Sequence, residues 1–167
     1  MPQGPAARTT DNVAHPLPPV LVPGPGSLNV LIGFLPAWRG IPLAAVAALQ
    51  SAKTAADIAI NTAVAATAAA AGTPGAPAAL AAEQTVKGTT LAAMSSAISG
   101  AAASGADIHL CTTPSPVPPH GPGVVITGSA TVQVNFLPQS RMGDTILEAI
   151  GPPNSIVKGE MTVIVGG

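Results

Sequence analysis

Charge is scarce in this chain. Asp, Glu, Lys and Arg make up 8% of 167 residues, against about 25% in an ordinary soluble domain. Six Lys and Arg against seven Asp and Glu leave a net charge of −1. That excludes the basic footprint of a nucleic-acid partner. Aromatics are scarcer still, at 2%: Phe34, Trp38 and Phe136, with no Tyr. A large core of big side chains is therefore excluded. The one cysteine, Cys111, excludes an intramolecular disulfide framework. Met1-Pro2-Gln3-Gly4-Pro5 lacks a basic stretch followed by an apolar run, so no general secretory signal is read there. A phosphate-binding loop is missing too. Gly24-Pro25-Gly26-Ser27 has no Lys, and Pro25 removes a backbone donor.

What is present is small and apolar. Hydrophobic residues make up 47%, much of it Ala, with 18 Gly and 19 Pro. Mean hydropathy is +0.49, which does not fit the disordered class. The length predicts one domain, or one domain with an extension. Something besides bulk burial must hold the Gly/Pro-rich parts, and a bound metal is one device that does so.

The chain divides into three. Residues 1–40 are Pro/Gly-rich with short apolar runs. Residues 41–106 are rich in Ala, Thr and Ser. Residues 107–167 return to the first style. The middle thus reads as an insertion into something whose two ends belong together. Those ends carry a repeat. Gly26-Ser27, Val30, Phe34-Leu35-Pro36 and Arg39 align without a gap on Gly128-Ser129, Val132, Phe136-Leu137-Pro138 and Arg141. A shorter third copy follows at 159–167. Val132 and Val134 alternate with Thr131 and Gln133, as on a strand. Gly and Pro between the runs supply turns. Three such units predict a mainly β, pseudo-threefold structure.

The middle predicts a helical hairpin, from about 43 to 71 and about 78 to 103. Ala is the best helix former, and Gly72-Thr73-Pro74-Gly75-Ala76-Pro77 breaks the run. A membrane-spanning pair is the competing reading. Lys53, Asp57, Glu83 and Lys87 interrupt the runs, so a packed or partner-binding hairpin is preferred.

Every His and the Cys lie outside that insertion: His15, His109, Cys111 and His120. His109 and Cys111 are two apart, so on a strand they share a side. The Pro-rich stretch before His120 returns the chain toward the same point, and His15 joins them if the units pack around one axis. Three imidazoles and one thiolate make a closed tetrahedral zinc set, which suits a structural ion. The bland alternative is three unrelated histidines and a buried cysteine. A third reading makes Cys111 a nucleophile with His109 or His120 as base, but no orienting group or oxyanion site is identified for it.

Ala6-Ala7-Arg8-Thr9-Thr10-Asp11-Asn12-Val13-Ala14-His15 resembles the prePAAR motif, Ala-Ala-Arg-x-x-Asp-x-x-x-His. Residues 107–167 resemble a PAAR domain, the family of Pro-Ala-Ala-Arg repeats. Pro5-Ala6-Ala7-Arg8 spells that tetrapeptide, Pro36-Ala37-Trp38-Arg39 and Pro138-Gln139-Ser140-Arg141 stand in its place, and Arg141-Met142-Gly143-Asp144 matches the Arg-x-Gly-Asp ending. The first copy ends at Arg39-Gly40 without the Asp. Where many members carry a Cys, this chain reads Leu147-Glu148-Ala149-Ile150-Gly151.

The resemblance implies a small zinc-bound cone, and carries over His15, His109, Cys111 and His120 as ligands. It implies a non-enzymatic tip on the trimeric VgrG-type spike of a contractile injection system such as type VI secretion, one copy per spike. Such a tip assembles in the bacterial cytoplasm, leaves with the spike, touches the target membrane transiently and recruits effectors. The alternative it implies is the delivery module of a toxin. Residues 41–106 then bind a chaperone or enter membrane.

Overall fold

The computed structural model describes residues 3–14, 20–114 and 119–166. Three short two-stranded ladders form its most regular feature. Strand β2 (Leu31–Ile32) pairs with β3 (Leu35–Pro36), Leu31 opposite Pro36 and Ile32 opposite Leu35. Strand β6 (Gln133–Val134) pairs with β7 (Leu137–Pro138) in the same register. Each is a hairpin closed by two residues with positive φ: Gly33 and Phe34 at 53° and 68°, Asn135 and Phe136 at 53° and 65°. Two positive φ values are those of a type I′ turn, whose twist suits a tight hairpin. Gly and Asn tolerate this; each Phe does so at a steric cost.

The third ladder is assembled from the two ends of the described chain. Strand β1 (Gly4–Ala6) pairs with β10 (Glu160–Val165), Pro5 opposite Ile164 and Gly4 opposite Val165. In the register of the repeat, Ile164 and Val165 stand where Leu31 and Ile32 stand. Pro5 stands where Pro36 does. The copy at 159–167 is therefore completed by the residues around Pro5-Ala6-Ala7-Arg8. Ile32, Val134 and Val165, one from each ladder, pack together with Ala6 and Ala37.

The three units are joined in closed cycles of backbone hydrogen bonds. Ala7 N–H donates to Ser140 O, Ser140 to Trp38 O and Trp38 to Ala7 O, at 2.8, 3.0 and 3.0 Å. A second cycle runs Thr9 to Pro36, Gly40 to Pro138 and Met142 to Pro5, at 2.9, 2.9 and 2.8 Å. Ala7, Trp38 and Ser140 are all fully buried. Such cycles satisfy backbone groups that small side chains leave deeply buried.

Each unit then turns at an Arg–Asp clasp. Arg8 binds Asp11, and Arg141 binds Asp144. In both, the Arg backbone N–H and Nε donate to one carboxylate oxygen and Nη2 donates to the other. Arg39 has the same set of partners in Asp107, at 2.8, 3.0 and 3.0 Å. The Asp expected right after Gly40 is thus present, but delayed until the helices have been made.

Between Gly40 and Asp107 rise α1 (Leu43–Ala70) and α2 (Ala76–Ala101), packed against each other. The second helix starts earlier than its Pro77 suggested, because a Pro in the first turn lacks only an N–H that has no helical partner there. At the root, Leu49, Met94 and Ile98 bury against Val124, Leu137, Leu147 and Ala149. Further out the seam is mostly Ala, Thr and paired charges. The helices hold 28 and 26 residues and no strand exceeds seven, so the fold is mixed rather than mainly β.

The remaining sheet has four antiparallel strands in the order β4 (Ile108–Pro114), β5 (Pro119–Val125), β8 (Thr145–Glu148) and β9 (Asn154–Ser155). It carries the candidate site.

Candidate metal centre

Alternation along β4 sorts its side chains. His109 and Cys111 are each 1% exposed and Leu110 between them is 41% exposed, so the expected shared side is observed. Cys111 lies opposite Gly121 on β5. His120, just before Gly121, reaches the same interior. From β8 comes Glu148, fully buried. The ligand atoms of Cys111, His120 and Glu148 all lie within 4.8 Å of one another.

His120 Nδ1 is 2.8 Å from Glu148 Oε2, and the Cys111 thiol hydrogen-bonds to the same carboxylate. Asn154 Nδ2 donates to Glu148 Oε1 at 2.7 Å, fixing the carboxylate from behind. On its other side the His120 ring lies against Gly151. A Cβ there would sit 2.8 Å from Nε2, and φ is +83°, so only Gly fits both the backbone and the ring. Burial pushes the Glu148 carboxyl up to about 7, opposed by Asn154, Cys111 and the more distant Lys53 ammonium.

This donor set fits a zinc-like ion. Thiolate, imidazole and carboxylate are its usual ligands, at about 2.0–2.3 Å, which puts two ligands of one tetrahedral ion roughly 3.4–3.8 Å apart. The upper bound of 4.8 Å within the cluster accommodates that spacing. The His120–Glu148 pair, at 2.8 Å, is shorter, as a hydrogen bond should be, and would have to open by about 0.6 Å to hold such an ion.

Of the four residues singled out in the sequence, two meet here, Cys111 and His120. His109 shares their side of β4 but is not a member of the group. His15 lies outside the described residues. The sequence reading did not single out Glu148 as a candidate ligand, although it noted Leu147-Glu148 as standing where many PAAR-family members carry Cys. The usable signal was the offset from each clasp: Cys111 and Glu148 both come four residues after their Asp, Asp107 and Asp144. No family model, curated protein or solved structure matches this chain.

Proposed function

We propose that this chain is a spike-tip protein of the PAAR kind, a non-enzymatic cone that caps a trimeric VgrG-type spike of a contractile injection system. The observation that carries the reading is the cyclic joining of three equivalent units. A threefold partner needs three matching contacts, and one chain with a pseudo-threefold base offers them.

The outward residues of those units support it. Phe34 and Phe136 are 95% and 93% exposed at two equivalent tips. Leu28 and Leu31 near the first tip, and Met161 and Ile164 on the third ladder, are also largely exposed. Exposed apolar residues gathered on equivalent units are what an interaction surface needs. A mostly buried thiolate, imidazole and carboxylate set suits a structural ion. Cys111, His120 and Glu148 would hold it. His15, four residues after Asp11 as Cys111 and Glu148 are after theirs, is our fourth ligand. The ion ties three separate segments together where large side chains are few.

A mixture of the zinc-loaded chain with its trimeric spike protein tests the function. Native mass spectrometry should give one chain per trimer, and Phe34→Ser with Phe136→Ser should weaken the complex. A folded, zinc-loaded chain that joins no trimeric spike of its own genome would overturn the reading.

A second reading, a delivery arm that meets membrane or a chaperone, is favoured by how the hairpin places its charges. Lys53, Glu83 and Lys87 are buried, and each Lys pairs within its own helix, with Asp57 and Glu83. Outside are Ala, Thr and Ser with Ile58, Val64 and Leu80. By length and composition α1 is apolar enough to cross a bilayer, with 17% of its apolar window buried. Strong partition of the chain into lipid vesicles would favour this reading.

A further inference from the structure

We propose that the inserted helical hairpin is the back wall of the metal centre, so that ion binding and hairpin docking are thermodynamically linked. The inference rests on the metal reading above and extends it to residues outside the ligand set.

The strands that carry the ligands have two faces. On β8, Ile146 packs into the cluster of Ala7, Leu21, Trp38 and Val125, with Glu148 on the same face by alternation, while Leu147 turns to the cluster beneath the helices. On β5, Val125 turns inward and Val124 turns to the helices. Ile108 of β4 packs against the helix-side cluster too. Cys111 and Glu148 therefore share one face of the sheet. The other is covered by Leu49, Met94 and Ile98 of the hairpin root.

The second helix also packs closely beside a candidate ligand. A Cβ on Gly121, the residue after His120, would lie 2.5 Å from Leu91 Cδ1 and 3.8 Å from Ser95 Oγ. So α2 presses on the backbone next to His120, while Gly151 presses on its ring from the other side. The first helix contributes as well. Lys53, Asp57 and Gln50 line a cavity of about 440 Å³ together with Leu147 and Glu148.

An ion tolerates ligand positions only within about 0.2 Å. A strand free to shift on its helix side loses that definition. Mutating the outer-shell partners that orient metal ligands typically costs about 10–100-fold in affinity, and loss of packing behind the strand is expected at the low end of that range. Linkage makes the effect mutual: whatever factor docking adds to ion affinity, the ion adds to docking.

Zinc affinity, by competition with a chromophoric chelator, and amide hydrogen exchange test the coupling on the full chain. Leu91→Ala should lower affinity about tenfold with far-UV circular dichroism unchanged, since Leu91 is only part-buried and Ala keeps the helix. Leu91→Met should restore it. Leu80→Ala, on the outer part of α2 and 49% exposed, should change nothing. Zinc should slow exchange at the hairpin root, residues 43–56 and 91–101. Zinc uptake with unchanged exchange there overturns the coupling alone. A wild type that takes up no zinc overturns the metal centre and the coupling with it.

Discussion

Replacing Asp107 by Ala removes the clasp that closes the first unit around the root of the helices. The carboxylate is 1% exposed and accepts from Arg39 N, Nε and Nη2 at 2.8, 3.0 and 3.0 Å, and from Gly26 N at 3.0 Å. The variant leaves the Arg39 guanidinium, 11% exposed, without its counter-ion. Breaking a buried pair from one side costs about 3–5 kcal/mol. Native domains have only about 5–15 kcal/mol in total. At this chain length each kcal/mol moves the melting midpoint by about 2–4 °C, so a fall of roughly 6–20 °C is expected. Thermal unfolding followed by Trp38 emission reads the shift and urea unfolding reads the free-energy loss, since Trp38 is the sole Trp and fully buried. Lys158→Ala is the control. Lys158 is exposed, and a surface change of this kind should stay within about 0.5 kcal/mol. If Asp107→Ala costs less than about 1 kcal/mol, or no more than Lys158→Ala, the clasp argument is wrong.

Three further outcomes follow from the same geometry. In the metal-free protein the raised Glu148 pKa makes the protonated form the stabilising one. That contribution is complete below about pH 4.5, where the unfolded chain is also protonated, and is lost as pH rises to about 7. It amounts to about 3 kcal/mol, and the difference in urea midpoint between wild type and Glu148→Gln across this window should trace it. Gly151→Ala should weaken zinc binding and cost at least about 1–2 kcal/mol, because φ is +83° and the new methyl meets His120; equal zinc affinity would contradict the close packing. Phe34→Gly and Phe136→Gly relieve positive φ values at exposed tips, so each should raise stability by about 0.5–1 kcal/mol, net of the unfolded-state entropy Gly adds. Both should weaken binding to a trimeric spike, and unchanged binding would remove the tips from the docking surface.

The repeat and the helices were legible because their signals are local. Gly-Ser, Phe-Leu-Pro and Arg at fixed spacing mark the hairpins, and Ala runs interrupted at 72–77 mark the helices. What escaped depends on closure in space. Asp107 completes a turn begun at Arg39, but 66 inserted residues hide the connection in the sequence. The third copy at 159–167 was legible, but its completion by Gly4–Ala6 was not, because the two strands come from opposite ends of the described chain. Cys111 and His120 were found because thiol and imidazole are rare here. Glu148 was not, because a carboxylate in a strand has no distinguishing pattern until its burial and its neighbours are known. The prevalence of helix over strand was underweighted, since the hairpins are regular but only two residues long on each side.

The metal content of the purified chain bears most directly on the account, read beside Cys111→Ser and Glu148→Gln. About one zinc per chain is expected, lost or sharply reduced in both variants together with a lower melting midpoint. A well-folded wild type without zinc, whose midpoint neither zinc nor chelator changes, would contradict it.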